Sequence, residues 1–164
     1  MHRPPLFIFR SNDNSRHLAD LGTILSEADP PFNIRAIGGG ESPTGIGVFA
    51  VALDDDAGDR DDQLRDLATL NNLELRDVDG LTFELNDDPG TLGVAAGVLQ
   101  AATINIESIL VVGAHGDRPI ILIGVPLGSG DDARTALEGA GYFVYPDSHF
   151  DYHAAAHSEG SPES

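Results

Sequence analysis

The chain has 164 residues, 41% of them apolar, with no cysteine, and 9 lysines and arginines against 27 aspartates and glutamates for a formal charge of −18. The apolar fraction supplies a packed core for one ordinary domain or two small ones and excludes a disordered chain, while the charge repels nucleic-acid phosphates and anionic lipid head groups, so neither is expected as a partner. Without cysteine there are no disulfides, thiolate metal sites or cysteine nucleophiles, and no stretch approaches the roughly 18 apolar residues that span a bilayer, which leaves a cytoplasmic location as the default.

Leu6 to Phe9 reads as a short strand, and Asn12-Asp13-Asn14-Ser15 starts a helix that carries Leu18, Leu21, Ile24 and Leu25 at helical spacing. Asp29-Pro30-Pro31 ends it. Phe32 to Ile37 reads as a strand, Gly38-Gly39-Gly40 to Gly45 as a turn, and the alternation of Val48, Ala50 and Ala52 as the returning arm of a hairpin. Asp59 to Asn71 sets Leu64, Leu67 and Leu70 on a second helical face, and Leu73 to Val78 closes the half as a strand.

The same order then repeats at a period of about seventy residues. Leu81 to Leu85 is a strand, and Asp88-Pro89 reads as cap and first residue of a helix with Leu92, Ala95, Val98 and Leu99. Ile104 to Val112 and Pro119 to Val125 are strands joined at His115-Gly116-Asp117. Asp131 or Asp132 caps a last helix ending near Gly139 or Gly141, and Tyr142 to Tyr145 closes the unit. Asn33-Ile34 and Asn105-Ile106 open the second strand of each half. The expectation is an α+β chain of two ferredoxin-like βαββαβ units, residues 1–79 and 80–146, each an antiparallel sheet with its helices on one face. The uncovered faces or edges must pair with something. Residues 147–164 are too poor in apolar side chains to offset their ordering entropy and read as a solvated tail.

Phe83 to Leu92, followed by Asn105-Ile106-Glu107-Ser108, resembles the ACT domain, whose first strand ends in an acidic or Asn-containing Pro-Gly turn and whose second strand opens on Asn-Ile. Asn105 to Ser108 with Val111-Val112-Gly113 is most similar to the ACT half of acetolactate synthase regulatory subunits. The resemblance is close over about residues 82 to 146 and approximate over 6 to 78. It implies a non-catalytic regulatory protein that binds an amino acid or related small metabolite at the turn, often across an interface between two units, as a homodimer or with a partner enzyme.

The chemistry of the residues agrees. Pro89 has no N–H to satisfy and Gly90 has no side chain, so an anion can approach the helix N-terminus at Gly90, Thr91 and Leu92. Asp87 and the Asn105 side-chain oxygen offer acceptors to an ammonium group. The expected ligand-binding residues are Asp87, Asp88, Gly90, Thr91, Leu92, Asn105 and Ile106, with Leu92, Ile106 and Ile109 bounding the pocket. The competing reading is a structural turn in which Asp88 caps the helix itself. In the first half Asn14-Ser15-Arg16-His17 replaces the turn, with Arg16 either clamping a carboxylate or lying solvated on the helix surface.

His149, His153 and His157 would share one face of a helix and so could hold Zn²⁺ or Ni²⁺, although their neighbours read as disordered. The glycine clusters lack phosphate-loop spacing, no catalytic constellation is present, and no metal or cofactor is expected. An interaction module that holds a biosynthetic enzyme without a ligand, and an enzyme using the Asp-rich surface to hold a divalent ion, stand as the other readings.

The acidic residues are spread along the chain rather than gathered in one tail, which points to solubility in high salt and a halophilic source. At about 1 M salt the Debye length falls to about 3 Å and self-repulsion is screened. Raising KCl from about 0.1 M to about 2 M therefore raises the melting temperature, and loss of thermal stability over that range would remove the halophilic reading.

Overall fold

The computed structural model describes residues 5–11 and 17–146. Asn14, Ser15, Arg16 and the tail histidines lie outside the described residues. The elements are β1 (Leu6–Ser11), α1 (His17–Glu27), β2 (Ile34–Glu41), β3 (Gly47–Leu53), a 3-10 turn (Asp55–Arg60), α2 (Asp61–Leu70), β4 (Glu74–Glu84), α3 (Thr91–Ala101), β5 (Ser108–His115), β6 (Arg118–Pro126) and α4 (Gly130–Gly139). All pairings are antiparallel, in the order β2-β3-β1-β4-β6-β5. The chain is α+β, two ferredoxin-like βαββαβ units. No helix among the described residues is long and apolar enough to cross a membrane.

The two units share a strand. Where the sequence suggested separate strands at Leu73 to Val78 and Leu81 to Leu85, β4 runs unbroken through Asp79-Gly80. Its first part, Glu74 to Asp77, pairs with β1, and its second, Val78 to Glu84, pairs with β6. The predicted closing strand at Tyr142 to Tyr145 is reduced to one bridge, Phe83 to Val144, with the Glu84 N–H donating to the Phe143 carbonyl and the Tyr145 N–H to that of Thr82.

Alternation along β4 puts the odd residues Leu75, Leu81 and Phe83 on the helix side. One core there packs Phe7, Phe9, Phe49 and Val51 against Leu21, Ile24, Leu25 and Leu64; the other packs Leu81, Phe83, Ile121 and Ile123 against Ala95, Leu99, Ala133 and Leu137. Leu18 and Leu70, expected on the apolar helix faces, are exposed, and Ala68 is buried on α2 instead.

The opposite faces of the two half-sheets fold onto each other. Leu6, Ile8, Ala50, Ala52 and Val78 meet Leu110 and Leu122 in a third core. This answers the demand of the uncovered sheet faces, and it explains why β1 reads Leu-Phe-Ile-Phe without alternation: both of its sides are buried. It also corrects the glycine turn. Gly38, Gly39 and Gly40 lie inside β2, paired with Ala50, Phe49 and Val48. A Cβ on Gly38 would stand 2.4 Å from Leu110 Cδ2, and one on Gly39, whose φ is +142°, would stand 2.1 Å from the Val48 carbonyl oxygen. The chain turns later, where the Ser42 N–H donates to the Ile46 carbonyl.

The cap of α4 is also not the one expected. Neither Asp131 nor Asp132 caps it; they lie in its first turn, where negative charge is favourable. Asp79, 1% exposed in mid-β4, accepts the N–H groups of Gly128 and Gly130 through Oδ2 at 2.8 and 2.9 Å. Replacing it, Asp79→Ala, leaves two donors without an acceptor in a closed site and costs about 2–3 kcal/mol, read as a lower urea midpoint with an unchanged slope.

Candidate ligand site at the end of the shared strand

Beyond Glu84 the chain leaves the sheet at Leu85, whose N–H donates to the Pro119 carbonyl at 2.9 Å. It then makes a β-turn from Asp88 to Thr91, closed by the Thr91 N–H on the Asp88 carbonyl at 3.3 Å. Pro89 occupies the second position and Gly90, with φ +89° and ψ −4°, the third, which is the type II turn that this dipeptide favours. Pro89 is therefore not the first helical residue. The helix starts at Thr91, because a left-handed residue cannot lie inside it.

The turn leaves α3 uncapped by any side chain. Asp88 makes no capping bond, and its carbonyl rather than its carboxylate holds the Thr91 N–H. The Thr91 hydroxyl donates back to the carbonyls of Asn86 and Asp88 at 2.9 and 3.0 Å, tying the loop to the helix. Among the described residues no acceptor meets the N–H groups of Leu92 and Gly93, the donors that an uncapped helix start leaves open. Asn86, Asp87, Asp88, Pro89 and Gly90 are exposed and Thr91 is half-buried.

The other expected residues lie elsewhere. β5 begins at Ser108, so Asn105 and Ile106 belong to the loop that enters it, Asn105 exposed and Ile106 packed against the second core. The 11 residues of α3 separate the turn from this loop, a length of about 16 Å at 1.5 Å per residue. The register agrees, with Glu84 opposite Ile120 at one end of β6 and Ser108 opposite Gly124 towards the other. Within one unit, Asp87 and Asn105 therefore stand at opposite ends of α3.

On the sheet side of the turn a second group gathers that sequence reasoning missed. Glu84 is buried, and its Oε1 accepts from the Tyr145 hydroxyl at 2.6 Å and faces His115 Nδ1 at 3.0 Å. Nη1 of Arg118 stands 3.8 Å from Oε2. Glu84, Asn86, Thr91 and Arg118 line a cleft of about 230 Å³ with residues 140–143 after α4. Near Asn105, Glu107 pairs with Arg76 of β4 at 2.8 Å. Among the described residues no three His, Asp or Glu side chains gather to hold a metal ion.

No protein-family model matches the sequence, and no curated protein is similar to it. Solved structures are similar in fold. Protein BT0572 from Bacteroides thetaiotaomicron superposes with a TM-score of 0.64 at 16% identity, over 92% of this chain and 97% of that one. The ligand-free regulatory subunit of aspartate kinase from Thermus thermophilus gives 0.59 at 16% identity, over 86% and 94% of the two chains. The corresponding subunit from Thermus flavus gives 0.56 at 18% identity, over 84% and 93%. The chain has the tandem ACT fold.

In this fold the Pro-Gly turn holds its shape through backbone angles rather than contacts. A Cβ on Gly90 would meet nothing within 4 Å, yet the φ of +89° penalises any L side chain. Gly90→Ala therefore destabilises by about 1–2 kcal/mol from backbone strain alone, measured by urea unfolding. A cost near zero would show that the turn changes shape.

Proposed function

We propose that this chain is a non-catalytic regulatory protein that binds an amino acid, or a metabolite of similar zwitterionic chemistry, at the turn from Asp87 to Leu92, between two copies of itself. The observation that carries the reading is α3. Its sequence, Thr-Leu-Gly-Val-Ala-Ala-Gly-Val-Leu-Gln-Ala, has no charged residue, and Leu92 and Val94 are exposed. A helix apolar all round is one that expects cover. Ile109 and Val111 of the edge strand β5, paired with Ile123 and Ile121 of the second core, are exposed on the same side of the sheet.

A second copy packed antiparallel along α3 and β5 buries this face, and the two-fold relation reverses its ends. Its Asn105-Ile106 loop then lies beside the turn of the first copy. The carboxylate of the ligand takes the open N–H groups of Leu92 and Gly93, favoured by the helix dipole. Its ammonium group takes Asp87 from one copy and the Asn105 oxygen from the other. Occupancy then stabilises the pairing, the route by which binding at the turn passes to whatever the pair controls.

The likeness to regulatory subunits of aspartate kinase, over nearly the whole length of each, favours a second reading in which the chain docks on an amino-acid biosynthetic enzyme with or without a ligand of its own. Calorimetry of the full chain against the twenty amino acids, with sedimentation to follow the oligomer, separates the two. Heat for one amino acid together with a shift towards dimer supports the first. Asn105→Ala then weakens that binding about tenfold or more while leaving the fold intact. Absence of heat for all twenty at millimolar concentration removes ligand binding at the turn, and pull-down of a catalytic chain in high salt supports the second.

A further inference from the structure

We propose that Phe143 to Pro146 form a releasable strap, which swings out on a hinge after Tyr142 while the rest of the second unit stays folded, with the Tyr145–Glu84 hydrogen bond as its latch. Its opening requires no ligand at the Pro-Gly turn. The hinge is set by the way α4 ends. The Gly141 N–H donates to the Glu138 carbonyl and the Tyr142 N–H to that of Leu137, each at 3.0 Å, and Gly141 is left-handed at φ +89°. These are the two bonds of a Schellman motif, so the chain up to Tyr142 belongs to the helix end. The Tyr142 ring is held as well, edge-on to Phe83 with centroids 5.7 Å apart.

From Phe143 onward the chain is held in another way. One edge of β4 pairs with β6 from Val78 to Glu84, whereas the strap meets the other edge at the bridge of Phe83 and Val144. Side chains add to that bridge. Val144 is buried in the second core, the Tyr145 hydroxyl donates to Glu84 Oε1 at 2.6 Å, and Arg134 Nη2 of α4 donates to the carbonyls of Tyr145 and Pro146 at 2.9 and 3.4 Å. Phe143 between them is exposed. So short a segment lies at the low end of local stability, while β6, paired on both edges, opens only with the unit as a whole. The charge-assisted bond to Glu84 sets the balance. Releasing it does not strand a buried carboxylate, because His115 Nδ1 at 3.0 Å and Arg118 Nη1 at 3.8 Å stay beside Glu84 from the β5–β6 hairpin. Opening removes Phe143 from the wall of the 230 Å³ cleft, and it carries residues 147–164, which follow the strap, away from the sheet.

Native-state hydrogen exchange of the full chain at sub-denaturing urea reads this opening. The amides that close the strap are those of Tyr145 and Glu84, bonded to the carbonyls of Thr82 and Phe143. Both exchange faster than the β6 amides of Ile121 to Ile123, and their rates barely respond to urea, since a short strap exposes little surface when it opens. Tyr145→Phe speeds both about tenfold, the equivalent of one charge-assisted bond, still without urea dependence. Arg134→Gln, which unties the Tyr145 and Pro146 carbonyls and leaves Glu84 untouched, speeds them as well. Exchange of the Tyr145 and Glu84 amides at the rate and urea slope of β6 means that the strap opens only with the whole unit, and it overturns the proposal. An unchanged rate in Tyr145→Phe removes the latch.

Discussion

Everything in this molecule depends on one strand being used twice. β4 closes the first unit by pairing with β1 and opens the second by pairing with β6, with no linker between the two uses. A shared strand fixes the side on which both helix pairs lie, and so leaves both inner faces bare on the same side. They cover one another, and the residues that meet are graded for closeness: Ala50, Ala52, Gly38 and Gly124 receive Leu6, Leu110 and Leu122. Burying one leucine there is worth about 1.5–3 kcal/mol, and the close approach that permits it is why glycine stands in strands where it otherwise weakens them.

The helices were the most legible part of the sequence, because Leu21, Ile24 and Leu25, or Ala95 and Leu99, repeat at helical spacing and lie buried. The shared strand was not. Val78-Asp79-Gly80-Leu81 has the local composition of a turn, and it stays extended because it pairs with β6 and because Asp79 caps the start of α4, a partner 49 to 51 residues away. Local grammar has no access to such a partner. The same holds for Gly38-Gly39-Gly40, which is strand because Leu110 needs the space.

The Pro-Gly turn was half legible. Pro89-Gly90 announces a turn, but Pro serves equally at the first position of a helix and at the second of a type II turn, and only the left-handed Gly90 decides between them. The pairing of Asp87 with Asn105 follows from adjacency in a motif, whereas a βαβ crossover places the two at opposite ends of a helix. The Glu84 group left no sequence signal at all. It assembles a strand end, both arms of a hairpin and Tyr145, 61 residues further on.

The continuity of β4 imposes something like a reading frame on the fold. Side chains along a strand alternate with a period of two, so inserting or deleting a single residue near Asp79 exchanges the faces of everything from Leu81 onward. Leu81 and Phe83 would turn towards the inner core and Thr82 and Glu84 towards the helices. The second unit would then have to hang its helices on the opposite side of the sheet from the first. A pair of residues, added or lost, would keep the frame. Related chains are therefore expected to vary in length freely at the Ser42–Gly45 and His115–Asp117 turns, and only in steps of two across the join between the repeats.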